Sequence, residues 1–286
     1  MGSSDVDDMD LDSFFVSVER LNNSALNGKP LLTGGIGDRA VVASCSYEAR
    51  IFGVHSAMPM KQALRLCPDA IVLRGDHERY SRYSHLVTDI IREKVPVYEK
   101  ASIDEFYIDL TGMDRFFGSF RFAVELRQLI IRESGLPISM GFSANKTVSK
   151  IATGEAKPNG QMQVNRGTEK PFLAPLSIRK IPMVGEKTYQ LLRSMGVEKV
   201  QTVQDMPLVL MERLLGENGR LIWKKANGID SSPVIPYSEQ KSLSTEDTFS
   251  QDSIDVKAMK HRLIAMTEKL AFQLRKQNKL SACVAI

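Results

Sequence analysis

The run Ala101-Ser-Ile-Asp-Glu-Phe-Tyr-Ile-Asp-Leu110 sets two adjacent carboxylates, Asp104 and Glu105, inside a segment of strand-forming residues. Neighbouring strand side chains point to opposite faces. The two acids cannot both sit in an apolar core without partners, because burying an unpaired carboxylate is costly or forces it to take up a proton. A metal ion at the sheet surface resolves the conflict. A second acidic strand-like piece, Met9-Asp-Leu-Asp-Ser-Phe-Phe15, lies far upstream and offers the missing ligand. Hard oxygen donors of this kind select magnesium or manganese over zinc. The bland alternative for either piece alone is a solvated strand end.

The elements that must position these acids can be read from apolar spacing and turn residues. Residues 9–15 read as the end of a strand and 16–26 as a helix, with a turn at Asn27-Gly-Lys-Pro30. Two short strands follow, around 30–33 and 39–44, joined by Gly34-Gly-Ile-Gly37. That glycine group lacks the Lys-Ser/Thr ending and following helix of a phosphate loop. Residues 60–67 and 77–95 read as helices stopped by Pro68 and Pro96, with the tyrosines of the second facing the core. Strands are expected at 98–101, 102–110 and 138–143, and helices at 120–133 and 146–156. This alternation predicts an α+β sheet rather than a doubly wound one.

From about residue 175 the chain changes to short helices and tight turns. Ile181-Pro-Met-Val-Gly185 before a helix reads as a hairpin whose backbone N–H groups can face a phosphate, the helix-hairpin-helix pattern, with an ordinary turn between helices as the alternative. Helices at 206–215 and 219–226 complete that unit. Residues 228–239 read as a linker. A strand at 241–249, a long helix at 254–277 and a strand at 281–286 begin a last unit, which these elements alone leave with an exposed edge.

Composition narrows the classes. The 286 residues exceed what one core usually supports, and 43% hydrophobic with 25% charged residues are the proportions of a globular protein. No apolar stretch approaches the ~20 residues of a membrane span, no signal peptide opens the chain, and residues 1–4 read as a cloning remnant. Cys45, Cys67 and Cys283 and the four histidines show no disulfide or zinc spacing, which suits a reducing compartment. Residues 1–177 carry 21 Lys and Arg against 22 Asp and Glu, whereas 178–286 carry 17 against 12. A near-neutral front with acidic clusters and a basic back suits a catalytic unit joined to polyanion-binding modules.

Taken together, Met9–Phe15, Ser46-Tyr-Glu-Ala-Arg-Ile-Phe-Gly-Val54, Ser102–Asp109, Gly141-Phe-Ser-Ala-Asn-Lys146 and Ala156-Lys-Pro-Asn-Gly160 resemble the Y-family (translesion) DNA polymerases, nearest in pattern to the bacterial DNA polymerase IV branch. The resemblance spans nearly the whole chain. It implies a right-hand architecture: a ferredoxin-like palm (9–20 and 77–165), small fingers (21–76), a helix-hairpin-helix thumb (166–230), a linker (231–240) and a truncated α/β little finger (241–286).

The resemblance also implies template-directed, error-prone nucleotidyl transfer from a dNTP to a primer 3′-hydroxyl, in translesion bypass and DNA repair. Asp10, Asp104 and Glu105, with the Leu11 carbonyl, match the ligands of two Mg2+ ions, Mn2+ being able to substitute. Tyr47, Arg50 and Lys157 match triphosphate contacts, with Ser44 a hydroxyl neighbour. Phe15 matches a steric gate against the ribose 2′-hydroxyl, and Phe14 is counted with it among the substrate contacts, although its place in the segment reads as core. Ala43 and Ala57 match an open roof over the nascent base pair. Pro182, Val184, Gly185 and Lys187 match the DNA-facing hairpin. Primer-template DNA and dNTP are the implied partners, the protein acting as a monomer in the bacterial cytoplasm at the nucleoid. The family's sliding-clamp peptide would lie beyond Ile286.

One departure stands out. The family enters its first motif on an apolar strand, whereas this chain has Asp5-Val-Asp-Asp8. These acids predict a poorly supported central strand and make Asp8 and Asp12 candidates for stray metal coordination. The alternatives are a weak or inactive DNA-binding homologue and a nucleotidyl cyclase, which also sets carboxylates on a ferredoxin-like sheet.

Overall fold

The computed structural model describes residues 5–37, 39–113, 118–236 and 240–286, so the expected remnant at 1–4 and the linker end at 237–239 lie outside the described residues. The fold is α+β. Its centre is a five-stranded sheet of order β5-β6-β1-β7-β8, formed by β1 (Val6–Leu11), β5 (Tyr98–Lys100), β6 (Glu105–Asp109), β7 (Ile138–Ser143) and β8 (Gln161–Gln163). Between β1 and β5 the chain runs through α1 (Phe14–Asn22), a second sheet of β2 (Leu31–Gly34), β3 (Val42–Cys45) and β4 (Ile71–Arg74), α2 (Tyr47–Arg50), α3 (Met60–Leu66) and α4 (His77–Lys94). Sequence periodicity missed β4 and β8, each too short to show an alternation. β4 pairs in parallel with β2 and β8 with β7, so both depend on partners distant along the chain.

The period of two sorts the central sheet into two faces. Met9, Leu11, Phe106, Ile108, Ile138, Met140 and Phe142 meet α4 and α5 (Ser119–Ser134) in the main core. Val6, Asp8 and Asp10 take the opposite face, under α6 (Lys146–Ala156). α6 lies close because β7 has Gly141 beneath it. A Cβ there would stand 2.2 Å from the Ser149 carbonyl oxygen and 2.3 Å from the Thr153 nitrogen. The approach lets the Thr153 hydroxyl donate to the Asp8 carbonyl at 2.9 Å.

The acidic start does not weaken β1. The strand begins at Val6, ahead of the expected residue 9, and pairs antiparallel with both β6 and β7. Two ladders outweigh the poor strand propensity of aspartate. The cost appears in the side chains. Asp7 is fully buried opposite Ile108 and Phe142, and neither carboxylate oxygen has a partner. Burial, with Asp8 alongside, pushes its carboxyl well above the usual range.

A helical unit follows: α7 (Glu169–Leu173), α8 (Glu186–Ser194), α9 (Val200–Asp205), α10 (Leu208–Leu215) and α11 (Glu217–Ala226). Its core is continuous with Val148, Ile151 and Ala152 of α6. The expected free linker is pinned along its described length. Asn145 donates to the Gly228 carbonyl at 2.9 Å, Asp230 accepts from the Thr147 hydroxyl at 2.6 Å, and Ile235 donates to Glu99 at 2.8 Å. Within 240–286 the only helix or strand among the described residues is α12 (Val256–Lys276), which buries no residue. The strands expected at 241–249 and 281–286 do not form, because no neighbouring strand supplies their backbone hydrogen bonds.

The Asp7→Val protein should be more stable than wild type by about 2–4 kcal/mol, since a branched apolar side chain replaces an unpartnered acid. A raised native pKa means the native state binds more protons than the unfolded one above roughly pH 4, so wild-type stability falls as pH rises. The advantage of the variant should therefore widen from pH 4.5 to pH 7.5 in urea unfolding. Equal midpoints at pH 7.5 would contradict the burial of an unpaired acid.

Candidate active site

Asp10 is directly opposite Glu105 in the β1–β6 register and opposite Ser139 in the β1–β7 register. Asp104 precedes β6 on a turn held by Ser102, whose hydroxyl bonds the Asp104 carboxylate and accepts from the Glu105 backbone N–H at 3.0 Å. The expected strand therefore starts three residues late, and the turn frees Asp104 from strict alternation. Its carbonyl accepts from Leu11 N–H at 3.0 Å, tying the two acidic segments together.

The electrostatics show how closely the acids are gathered. Burial raises the Asp10 carboxyl to about 6; Lys157, 2.6 Å away, opposes the shift, and the charges of Asp104 and Glu105 add to it. Burial also pushes Glu105 up, but Lys150 and the Tyr107 hydroxyl, which donates at 2.8 Å, leave it below the usual range. Asp8 is buried and raised, first by desolvation and then by Glu105. The ammonium groups of Lys157 and Lys150 thus stand where cationic charge is demanded. The donor set, all carboxylate and carbonyl oxygen, suits a hard divalent ion. With each lysine holding its own carboxylate, no three acidic, His or Cys residues among the described ones converge closely enough to grip a metal as they stand.

The residues expected to contact nucleotide arrive from separate elements. Tyr47 and Arg50 lie on α2, with the Arg50 guanidinium 4.9 Å over the Tyr47 ring. Ser44 is buried in β3, while Ala43 and Ala57 are exposed. Phe14, counted above with the substrate contacts, is instead packed in the main core at 2% exposure, where a substrate cannot reach its ring. Phe15 is half-buried and stacks on Tyr80 at 4.3 Å, with His77 edge-on at 5.9 Å. Sequence reading missed Tyr80 as this support, as it missed Lys150 and Tyr107. Lys150 alone left a trace, one helical turn after Lys146 on α6. Asp12 faces no metal site: its carboxylate is buried and engaged by Tyr47, Ser139 and Asn159.

Pro182, Val184 and Gly185 form the turn before α8, with Gly185 as its N-cap and Lys187 exposed in the first turn. The turn lines an open groove of about 600 Å³ with Lys150, Arg179 and Lys180. Lys150, whose ammonium group bonds Glu105, is shared by this groove and the carboxylate face.

An acidic face on a mostly antiparallel sheet, with Lys150 and Lys157 bonded to its carboxylates and a helical hairpin following, suits a nucleotidyl-transfer centre. The sequence pattern of the impB/mucB/samB family matches residues 9–154, and that of the impB/mucB/samB family C-terminal domain matches 240–286. The chain is 40% identical over 280 residues to the DNA polymerase IV of Dehalococcoides mccartyi (strain CBDB1), covering 97% of this chain and 72% of that protein. It is 36% identical over 282 residues to the DNA polymerase IV of Xanthomonas axonopodis pv. citri (strain 306), covering 97% and 77%. The crystal structure of DinB from Sulfolobus solfataricus superposes with a TM-score of 0.75 at 29% identity, covering 81% of this chain and 69% of that one. The insertion ternary complex of Dbh DNA polymerase gives 0.72 at 30% identity, covering 80% and 69%. The chain belongs to the impB/mucB/samB family, the Y-family DNA polymerases. It is a nucleotidyltransferase, and neither the inactive-homologue nor the cyclase alternative is supported.

Asp10 makes a measurable claim in the metal-free protein. Its raised pKa costs stability as pH rises from about 4 through about 6. Asp10→Asn should therefore raise unfolding free energy by roughly 2–3 kcal/mol at pH 7 and by little at pH 4. A stability gain independent of pH would show that Asp10 titrates normally.

Proposed function

We propose that this chain performs template-directed, error-prone DNA synthesis in translesion bypass, joining a dNTP to a primer 3′-hydroxyl. The observation that carries this reading is the pairing of Asp10 with Glu105 across the central strands, with Asp104 bonded to the same strand end. The relatives' name, and the Dbh structure described as an insertion ternary complex, support primer-template DNA and dNTP as partners.

In this reading Asp10, Asp104, Glu105 and the Leu11 carbonyl hold two divalent ions, Mg2+ by their oxygen chemistry. When bound, such ions neutralise the triphosphate and make the primer hydroxyl easier to deprotonate. Lys157, freed from Asp10, becomes a point charge for the triphosphate, and Arg50 offers a planar two-pronged donor. Tyr47 positions a phosphate oxygen through its hydroxyl. Phe15, braced flat against Tyr80, borders the sugar and excludes a 2′-hydroxyl by clash. The hairpin at Pro182, Val184 and Gly185, with Lys187, meets the DNA backbone.

In the same reading the elements group into subdomains. The five-stranded sheet with α4–α6 serves as palm, starting at Val6 rather than residue 9. The three-stranded sheet with α2 and α3 serves as fingers, and α7–α11 as thumb. Residues 231–240 are the linker, and 241–286 contribute to a little finger.

Asp104→Ala or Glu105→Ala should slow magnesium-dependent primer extension by about a thousand-fold or more while leaving primer-template affinity within a few-fold. Near-wild-type extension by Asp104→Ala would remove the proposed metal site.

Phe15→Ala should admit ribonucleotides while sparing deoxyribonucleotide insertion, cutting sugar discrimination by roughly a hundred-fold, about 2.7 kcal/mol. Steady-state insertion of a ribonucleotide and its deoxy counterpart measures this. If both rates fell together at a fixed ratio, Phe15 would be a packing residue, worth about 3–5 kcal/mol of stability.

A further inference from the structure

Asp12 is buried to 1% exposure, and both oxygens of its carboxylate are committed. Oδ1 accepts from the Tyr47 hydroxyl at 3.1 Å, across 35 residues of sequence. Oδ2 accepts from the Ser139 hydroxyl at 2.8 Å and from the Asn159 backbone N–H at 2.7 Å. Its backbone is fixed too: its N–H donates to the Pro137 carbonyl at 2.9 Å, and its carbonyl accepts from the Ser17 hydroxyl at 2.7 Å. Strand alternation puts Asp12 on the face of Asp10, and its bond to Ser139, the residue opposite Asp10, keeps it there; β1 ends at Leu11, and Ser13 then turns the chain in the left-handed region, at φ 42°.

The Asn159 turn is held from its other side as well. Arg127, nearly buried, donates to the Asn159 carbonyl and side-chain oxygens at 2.6 Å and to the Ile138 carbonyl at 2.8 Å. Asn159 is itself left-handed, at φ 48°, a conformation that asparagine tolerates better than most residues. Lys157 stands two residues before this clamped turn. One carboxylate therefore ties α2, which carries Tyr47 and Arg50, to the turn that carries Lys157.

We propose that Asp12 is a positioning residue that assembles the triphosphate cradle before nucleotide enters, through its bonds to Tyr47 and to the Asn159 turn. The inference rests on the reading of Tyr47 and Lys157 as triphosphate contacts. A phenol has one hydrogen to donate. In the resting site that hydrogen goes to Asp12, which keeps the ring under Arg50, and an incoming phosphate oxygen offers a second acceptor at the same place. A carboxylate suits the task because it accepts from three donors at once and has no hydrogen of its own to oppose them. The corresponding amide cannot: with one oxygen serving Ser139 and Asn159, its NH2 group faces Tyr47.

The test is single-turnover nucleotide insertion on a primer-template with Mg2+, using the whole chain. Asp12→Asn should raise the apparent Kd for dNTP about tenfold, the scale of one charge-assisted hydrogen bond. Primer-template affinity and the maximal insertion rate should stay within about threefold on that scale. Tyr47→Phe should cost clearly less in the Asp12→Asn background than alone, because the two share one interaction. Should Asp12→Asn not fold, Ser139→Ala removes a single donor to the same carboxylate and should raise the dNTP Kd by about two- to threefold. An unchanged dNTP Kd in the folded variant, or an equal loss of DNA affinity, rate and thermal midpoint, would overturn the proposal and leave Asp12 a packing residue. If Lys157→Ala and Tyr47→Phe also leave the dNTP Kd unchanged, the triphosphate reading itself fails. If they raise it and Asp12→Asn does not, only the positioning role is lost.

Discussion

The register of β1 between β6 and β7 is the constraint on which the rest of the site depends. A strand hydrogen-bonded on both sides has no freedom to slide, and a slip of one residue would turn every side chain to the other face. In the observed register Met9 and Leu11 enter the main core while Asp10 meets Glu105 and Ser139 on the face below α6. The bonds from Leu11 to Asp104 and from Asp12 to Pro137 carry the ladder to the point where the chain leaves the sheet. Asp104, Tyr47 and the Asn159 turn are tied to that exit by hydrogen bonds.

This register has a cost in the present sequence. With acids at 7, 8 and 10, either phase of the alternation buries at least one of them. The observed phase buries Asp7 without a partner among the described residues and pushes the Asp8 carboxyl up beside Glu105. A breach of local rules beside a functional centre is tolerated when compensation exists elsewhere. Here part of it comes from Gly141, which admits α6, and from Lys150 and Thr153 on that helix, which reach the acidic face. The lysines neutralise carboxylates whose mutual repulsion would otherwise loosen the sheet.

The helical unit is not an appendage. Its apolar core runs into Val148, Ile151 and Ala152, the same helix whose other side holds Lys150 over Glu105. The pinned segment at 228–235 adds a second attachment, through Asn145, Thr147 and Glu99. Motion of the hairpin relative to the acids must therefore be carried by α6 or break these bonds.

By itself the sequence determined the candidate residues and the local elements that carry them. Asp10, Asp104 and Glu105, the α+β alternation, the helices at α3–α6 and the hairpin before α8 were all legible, because each depends on side-chain type or on periodicity within one segment. Only the tertiary structure decided that β1 starts at Val6 with Asp7 buried, that Phe15 rests on Tyr80, and that Asp12 faces Tyr47 and Asn159 rather than a metal. It also decided against strands at 241–249 and 281–286, and brought β4 and β8 into their sheets. The physical reason is common to these cases. A strand, a stacked ring or a buried carboxylate is stabilised by groups remote in sequence, and local propensity contains no record of which remote group will be there.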